Sequence, residues 1–406
     1  MGMGSQQEAE VRLRQVKKLL EAGVERTPFL IVSLDCVRKS IQQLREVLPQ
    51  WQIFYSIKAL NHPEVLALCR TEGIGFEVAS CSELAAALEA SGQSPSVISG
   101  NPVKSDDFIS ALARAGVRQV VVDSLGEVAR LGSVYPGAKL LGRITVENDG
   151  SIYPLDRKFG QPADVSLSIL KVAKEAGLEP AGVTFHVGSQ CMDPAAYDRA
   201  LREVFDLYQQ MLSSGVMPTV LNAGGGLPAT GAYDPPPLQD YADVLSEWAG
   251  RFLDLNPNME LQMEPGRFLV GDAGTIVTSV IGRTARLDTW RGESSRNEWL
   301  TTDIGVFSGL FEALSDFKYR VSLLRESSSS VMPYHIAGPT CDSVDVWGDS
   351  VLLPCDVQIG DVLLLPGTGA YTNCYATSFN GFNLPQVVIV DDALTERTPH
   401  SGCSAL

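Results

Sequence analysis

Two kinds of segment alternate between residues 52 and 270 of this 406-residue chain. Short runs of apolar and β-branched residues that end in small or polar residues predict strands. Longer amphipathic runs, several of which begin at Ser, Asp or Pro and end at Gly, predict helices. The eight predicted strands begin at Gln52, Gly75, Ser96, Gln119, Lys139, Gly182, Val220 and Leu261. Eight strands that alternate with helices predict a (β/α)8 TIM barrel, and therefore an α/β protein.

The pattern changes after Gly271, where the long amphipathic runs disappear and short apolar runs are separated by Gly, Pro and Asp. This pattern is typical of an antiparallel β-sandwich or barrel domain. A further strand, predicted from Pro28, lies outside the count of eight, and we expect it to join the β domain. We therefore predict an N-terminal helix and strand over 1–34, a barrel over 35–270 and a C-terminal β domain over 271–406.

Acidic residues outnumber basic ones by 48 to 32, which gives a formal net charge of −16. Such a surface disfavours binding to nucleic acids and to anionic membranes. No apolar run approaches the ~18 residues of a spanning helix, and the N-terminus lacks the apolar core of a secretory signal. The eight cysteines form no C-x-x-C pair, which favours a reducing compartment. We predict a cytoplasmic protein that binds neither nucleic acid nor membrane.

The active site of a (β/α)8 barrel lies at the carboxyl ends of its strands. Polar residues and glycines follow the predicted strands at those ends, and we expect them to face one barrel mouth. They are Lys58, Glu77, Asn101, Asp123, Arg143, His186, Gly224 to Gly226, Glu264 and Arg267.

Several of these residues point to a particular chemistry. The glycine triplet lets backbone amides approach an anion, and Arg267 adds a charged donor, so the two predict a phosphate site. Lys58 would enter a partly desolvated mouth, where a lowered pKa favours Schiff-base formation. A lysine, a phosphate site, a carboxylate and a histidine in one cavity are what pyridoxal phosphate requires. Taken singly, each has a structural alternative: a surface lysine, a flexible turn, an ion-paired carboxylate and a core histidine.

Motifs along nearly the whole chain carry a family resemblance. They are FYSIKA, GFEVASCSE, KFG, FHVGSQC, NAGGGLP, MEPGRF, GPTCDSVD and GTGAYTNCYATSFNGF. With them the chain resembles the fold-type III pyridoxal-phosphate decarboxylases, the ornithine, lysine and diaminopimelate decarboxylase group, and its tail motifs are most similar to ornithine decarboxylase. The resemblance implies pyridoxal 5′-phosphate as cofactor and an amino acid as substrate, which is converted to an amine and carbon dioxide as in polyamine biosynthesis.

The resemblance also implies a role for each matching residue. Lys58 would carry the cofactor as a Schiff base, His186 would stack on its ring, and Glu264 would pair with the pyridine nitrogen. Glu77 and Arg143 would support the ring and the lysine. The phosphate would be held by Ser189, Gly225, Gly226, Arg267 and Tyr371.

A head-to-tail homodimer with shared active sites is a further implication of the resemblance. The GPTCDSVD motif of one chain would complete the site of the other, so that Cys341 delivers a proton to the α-carbon and Asp342 contacts the substrate. A monomer would be inactive. We also expect Lys158 to pair with Asp345 of the partner across the interface.

The segment TTDIGVFSG departs from the ornithine-specific pattern, in which an Asp precedes the Gly and binds the distal ammonium of the substrate. Ile304 occupies that place, and Asp303, one residue earlier, should face the other side of the strand. The substrate contacts implied are Asp342, Ile304, Asp303 and Tyr371. A distally modified, conjugated or carrier-linked amino acid fits Ile304 best, which makes a carrier protein a candidate partner. Ornithine or lysine remains the family default.

Other functions are left open by the residues. A diaminopimelate decarboxylase would need an Arg shortly after this strand, and VFSGLFEAL contains none. An amino-acid racemase would share the fold and the cofactor, but it normally needs a second base opposite the lysine. A non-catalytic regulator similar to antizyme inhibitors is disfavoured, because Lys58, His186, Glu264, Arg267 and Cys341 are all present. A visible absorbance band and carbon dioxide release separate these classes.

Overall fold

The computed structural model of the protein describes residues 13–21, 23, 26–91, 96–288 and 295–391. Its helices are α1 (13–21), α2 (Leu34–Val47), α3 (Pro63–Thr71), α4 (Cys81–Ser91), α5 (Asp106–Ala115), α6 (Leu125–Val134), α7 (Ala163–Glu175), α8 (Ala195–Ser213), α9 (Leu238–Leu255) and α10 (Arg267–Val270). Its strands up to residue 263 are β1 (Phe29–Ser33), β2 (Trp51–Ser56), β3 (Gly75–Glu77), β4 (Val97–Ile98), β5 (Gln119–Val122), β6 (Lys139–Arg143), β7 (Ser151–Tyr153), β8 (Glu179–Thr184), β9 (Ser189–Cys191), β10 (Val220–Asn222) and β11 (Glu260–Met263). The later strands are β12 (Gly274–Asp288), β13 (Ser295–Thr302), β14 (Ser322–Leu323), β15 (Val331–Ala337), β16 (Val346–Pro354), β17 (Val362–Pro366) and β18 (Gln386–Val390).

Eight parallel strands form a barrel in the order β4-β3-β2-β11-β10-β8-β6-β5. A parallel bridge between Ser99 and Val120 joins the two ends of this order, next to β4 and in β5. These strands are the eight that the sequence predicts, so the predicted (β/α)8 barrel is confirmed. Closure brings the carboxyl ends of all eight strands to one rim, which is where the candidate residues were expected.

The helices around the barrel begin and end at residues that are typical caps. Ser105 caps α5 by accepting a hydrogen bond from the Phe108 amide, and Gly116 ends that helix in the left-handed conformation. On the outer side of the barrel, α8 and α9 pack through aromatic rings, with Tyr208 and Phe252 edge to face at 5.4 Å. The parallel strands that they cover are almost wholly buried, which explains why these strands are apolar throughout rather than alternating.

A second sheet contains β14-β17-β12-β13-β15-β16, with β1 paired to both β12 and β18. Most of its pairs are antiparallel, as predicted, whereas β1 with β18 and β13 with β15 are parallel. The N-terminal strand β1 therefore lies in the second sheet and not in the barrel. The domain boundaries at residues 34 and 270 stay a prediction.

A two-stranded antiparallel ribbon, β7 with β9, stands outside both sheets and was not predicted. Each of its strands has only three residues, too few for a periodic signal. The ribbon matters for the site because Ser189 begins β9. Among the described residues, no helix has the length and apolar character needed to cross a membrane.

Candidate active site

Lys58 lies in a 3₁₀ turn directly after β2, and its side chain is 45% exposed at the barrel mouth. Its Nζ donates to Glu77 Oε2 and to Ser56 Oγ, both at 2.5 Å, and Ser56 Oγ donates to the same carboxylate oxygen at 2.6 Å. Desolvation alone would lower the pKa of Lys58, but the charges of Glu77, Tyr371 and Glu264 raise that pKa above its usual value. The predicted lowered pKa of Lys58 is therefore wrong, because the neighbouring strand β3 supplies a buried counter-ion.

Arg143, the last residue of β6, lies among acidic groups of the mouth. Burial lowers its pKa, and the charges of Glu264, Glu77 and Asp123 act in the opposite direction. Its Nε is buried and has no hydrogen-bond partner among the described residues. A buried donor without a partner is uncommon, so this nitrogen is available to a bound group.

Asn101 and Asp123, also expected at the mouth, hydrogen-bond to the backbone of neighbouring loops. Asn101 Nδ2 donates to the carbonyl of Ala79 at 3.3 Å, and the Gly160 amide donates to Asp123 Oδ2 at 3.1 Å. The charge of Asp123 still acts on Arg143 at the mouth.

His186 lies two residues beyond β8, and its imidazole is neutral at pH 7. The Gly188 amide donates to Nδ1 at 3.0 Å, so the ring proton lies on Nε2. Burial, with smaller effects from Arg143 and Lys58, lowers the pKa of His186 well below its usual value. A neutral ring held in this way presents a flat apolar face, which is what stacking on an aromatic cofactor requires.

Glu264 follows β11 directly and is 8% exposed. Asn222, fully buried at the end of β10, donates from Nδ2 to Glu264 Oε1 at 2.7 Å and accepts at Oδ1 from the Gly224 amide at 2.8 Å. Burial, and then the charge of Glu77, raises the pKa of Glu264 to about 7. Asn222 thus connects this carboxyl group to the glycine triplet.

In the cofactor-free protein, Glu264→Gln should raise the free energy of unfolding at about pH 8.5 by up to about 3 kcal/mol. The raised pKa means that the folded state favours the neutral acid, so stability is lost as pH rises from the unfolded value toward about 7. Glutamine stays neutral and still accepts from Asn222. Urea denaturation at about pH 5.5 and about pH 8.5 measures the difference, which should be larger at the higher pH.

Glu260→Gln is the matched control for this prediction. Glu260 lies at the other end of the same strand, where it accepts from Lys139 Nζ at 2.8 Å. Its replacement removes an ion pair and should not stabilise the protein at either pH. An equal gain from both variants would show that the general loss of negative charge, and not the burial of Glu264, causes the effect.

The glycine triplet after β10 folds back on the neighbouring strand ends. Gly224 and Gly226 have φ values of +63° and +122°, which other residues rarely adopt. A Cβ at Gly225 would lie 2.8 Å from the Glu264 carbonyl oxygen and 3.1 Å from His186 Nε2. Only glycine fits between these groups, and the amides of Gly225 and Gly226, which none of the described hydrogen bonds uses, remain for an anion.

Arg267 begins α10 and is 3% exposed. Its Nε donates to Ser189 Oγ at 3.1 Å, and its guanidinium lies 4.8 Å from the centre of the Tyr371 ring. Three residues predicted to bind phosphate therefore meet, although they come from β9, α10 and the segment after β17. The guanidinium also donates to both oxygens of Glu312, at 3.0 and 2.5 Å, in an ion pair that was not predicted.

Cys341 and Asp342 lie on the exposed surface of the chain. The thiol of Cys341 donates to Asn380 Oδ1 at 3.3 Å, and the same oxygen accepts from the Cys341 amide at 3.1 Å. Asp342 Oδ1 accepts from the Val344 amide at 3.0 Å. The described hydrogen bonds do not connect either residue to the polar groups of the barrel mouth in the same chain.

Neither Ile304 nor Asp303 supplies a carboxylate without hydrogen-bond partners. Ile304 is fully buried. Asp303 points to β12, where its Oδ1 accepts from Thr278 Oγ1 at 2.5 Å and from the Ser279 amide at 3.0 Å. Both residues follow Thr302, the last residue of β13, so the bonds to β12 hold the Asp303 carboxylate rather than alternation of faces along a strand.

The predicted pair between Lys158 and Asp345 of a partner is wrong. Asp345 is 2% exposed, and its carboxylate accepts from the Val306 amide at 2.7 Å and from the amide and hydroxyl of Thr340 at 3.0 and 2.7 Å. A carboxylate enclosed by its own chain cannot meet a lysine from outside. Lys158 is exposed, with Nζ 4.6 Å from the centre of the Phe159 ring.

Four residues that organise the site were missed from the sequence. Ser56, Asn222 and Asn380 stand inside the motifs FYSIKA, NAGGGLP and FNGF, so a polar residue within each motif was the available signal. No sequence signal pointed to Glu312, because it lies 45 residues from Arg267 in a short 3₁₀ segment.

Known proteins resemble this chain in both sequence and structure. The family model of the pyridoxal-dependent decarboxylase, pyridoxal binding domain, matches residues 34–271. A lysine/ornithine decarboxylase of Selenomonas ruminantium is 35% identical over 90% of this chain and 90% of its own. Two solved structures are similar: SrLDC in complex with PLP and cadaverine, at 34% identity and a TM-score of 0.81 over 93% of both chains, and the arginine decarboxylase of Paramecium bursaria Chlorella virus, at 28% and 0.84 over 93% of this chain and all of that one. None of these proteins is named as acting on a carrier-linked substrate, so the comparisons do not support the expected carrier protein.

Proposed function

This chain belongs to the family of pyridoxal-dependent decarboxylases, and we propose that the barrel mouth is its active site. The protein is a pyridoxal-phosphate-dependent amino-acid decarboxylase. We place the site there because three sets of groups lie at the same rim: the Lys58 amine, the Glu264 carboxyl, and Arg267 paired with Ser189.

The residues at the mouth fit pyridoxal 5′-phosphate. The Nε of Arg143 has no hydrogen-bond partner among the described residues, and none of the described hydrogen bonds uses the amides of Gly225 and Gly226. Lys58 Nζ is the amine that would bind the cofactor covalently. The phosphate would be held by Ser189, Gly225, Gly226, Arg267 and Tyr371.

Bound pyridoxal 5′-phosphate supplies an electron sink for the electron pair left when the substrate carboxylate departs as carbon dioxide. Glu264, held by Asn222, would keep a proton at the pyridine nitrogen and so maintain that sink. His186, neutral, would stack on the ring and exclude water. Glu77 and Ser56 orient the Lys58 amine by accepting its hydrogen bonds.

Cys341 of the partner subunit would deliver a proton to the α-carbon, which replaces the lost carboxylate and gives the amine. In its own chain Cys341 lies on the surface and hydrogen-bonds to Asn380, and apolar side chains near these two residues in sequence are exposed: Val344, Phe379, Phe382 and Leu384. Exposed apolar side chains of this kind are typical of an interface. We therefore propose a homodimer in which this surface covers the barrel mouth of the other chain.

The substrate that fits best is an amino acid whose distal end carries no free ammonium. A buried ammonium needs a charged or hydrogen-bonding partner, and neither Ile304 nor Asp303 offers one. The second candidate is ornithine or lysine, favoured by the relatives and by Asp342, whose exposed carboxylate is available at the proposed interface.

Carbon dioxide release from Nδ-acetylornithine and from ornithine tests this proposal, because the two amino acids differ only at the distal nitrogen. We expect kcat/KM for the acetylated compound to be at least about tenfold higher, since an unpartnered ammonium loses a charged hydrogen bond. Asp342→Asn should leave this ratio unchanged. Faster release from ornithine that depends on Asp342 would support the second candidate, and release from neither would disfavour both.

A further inference from the structure

The ion pair between Arg267 and Glu312 lies within the proposed phosphate site but takes no part in the function proposed so far. Both side chains are almost completely buried, at 3% and 4% exposure. The guanidinium also lies between the rings of Phe317 and Tyr371, at 4.9 and 4.8 Å from their centres. A buried cation in such surroundings requires a counter-ion, and Glu312 is the one that the chain supplies.

The hydrogen bonds fix which part of the guanidinium stays available. An arginine has five N–H groups, of which two point to Glu312 from Nη1 and Nη2 and one points to Ser189 from Nε. The second N–H of Nη2 lies on the same edge as the Nε–H. This edge, with the Ser189 hydroxyl beside it, therefore remains for a phosphate oxygen.

We propose that Glu312 is a resident counter-ion of the phosphate site. It stabilises Arg267 when the cofactor is absent, and it competes with the phosphate group for the charge of Arg267. The inference rests on the proposed function, because it assumes that Arg267 binds the cofactor phosphate.

The competition predicts that loss of the Glu312 charge increases the affinity of the site for a phosphate group. Without the Glu312 carboxylate, the cofactor-free protein keeps a buried cation without a counter-ion and is destabilised. A phosphate dianion then relieves this cost on binding, so the variant gains more from the phosphate than the wild type does. Pyridoxal lacks the phosphate, so its binding does not relieve the cost of the unpaired Arg267 charge.

The experiment compares dissociation constants of pyridoxal 5′-phosphate and pyridoxal for wild type and Glu312→Gln, measured by absorbance titration of the cofactor-free proteins. Both compounds carry the aldehyde that reacts with Lys58, so their ratio isolates the phosphate. We expect the preference for the phosphorylated form to rise at least tenfold in the variant, while the melting temperature of the cofactor-free protein falls. If Glu312→Gln folds only with the cofactor bound, the same ratio is measured by displacing bound pyridoxal 5′-phosphate with pyridoxal.

Two further variants separate the counter-ion role from a loss of stability. Glu312→Asp keeps the charge and should keep the wild-type ratio. Asp361→Asn breaks another two-bond pair, with Arg325 at 2.8 Å for both bonds, which is more exposed and lies next to strands of the second sheet, and it should lower the melting temperature without changing the ratio. An unchanged or lower preference for the phosphorylated form in Glu312→Gln would overturn the proposal. A wild type that binds both compounds equally would instead contradict the phosphate site itself.

Discussion

Replacing Lys58 by Arg is expected to reduce carbon dioxide release by more than about a thousandfold and to remove the visible absorbance of the cofactor-loaded protein. Arginine keeps a positive charge beside Glu77, whose carboxylate is buried to 2% exposure. The fold should therefore survive, whereas the guanidinium cannot form the covalent bond that the lysine amine forms. Stopped carbon dioxide release with an unchanged melting temperature of the cofactor-free protein is the expected result.

Lys139→Arg provides the control, because it makes the same exchange in another Lys–Glu pair of the barrel. Lys139 begins β6 and donates to Glu260 at 2.8 Å, at the end of the barrel opposite the mouth. The Lys139→Arg variant should release carbon dioxide at a rate close to that of the wild type. Substantial carbon dioxide release by Lys58→Arg would contradict the assignment of Lys58, whatever the control shows.

The barrel and the gathering of polar residues at one of its rims were predictable because they depend on local patterns. Each strand is a short apolar run followed by a polar residue or glycine, and the fold places every such residue on one rim. Lys58, His186 and Glu264 were found in this way, since their distance in sequence does not matter once the strands are parallel neighbours.

Properties that depend on pairing between distant side chains were not predictable. The sign of the Lys58 pKa shift depends on the Glu77 carboxylate reaching across from β3. Asp345 was expected at an interface, but it is enclosed by the amides of Val306 and Thr340. The partner of Arg267 depends on a turn of the second sheet region that brings Glu312 back to α10.

The strongest test of the shared active site is recovery of activity from two inactive variants. Lys58→Arg and Cys341→Ala, mixed in equal amounts after reversible dissociation, should regain about one quarter of wild-type carbon dioxide release, although each alone is nearly inactive. Random pairing makes half of the dimers mixed, and each mixed dimer holds one site with an intact barrel and an intact Cys341. The other site of that dimer carries both substitutions.

Mixing Lys58→Arg with His186→Ala separates this arrangement from a site built within one chain. Both residues belong to the barrel mouth of the same chain, so neither half of a mixed dimer has an intact barrel, and activity should not return. Recovery in the first mixture and not in the second requires that Cys341 acts on the mouth of the partner. Cys341 is exposed and hydrogen-bonds to Asn380 and not to the polar groups of its own barrel mouth, which is what leads us to expect that outcome.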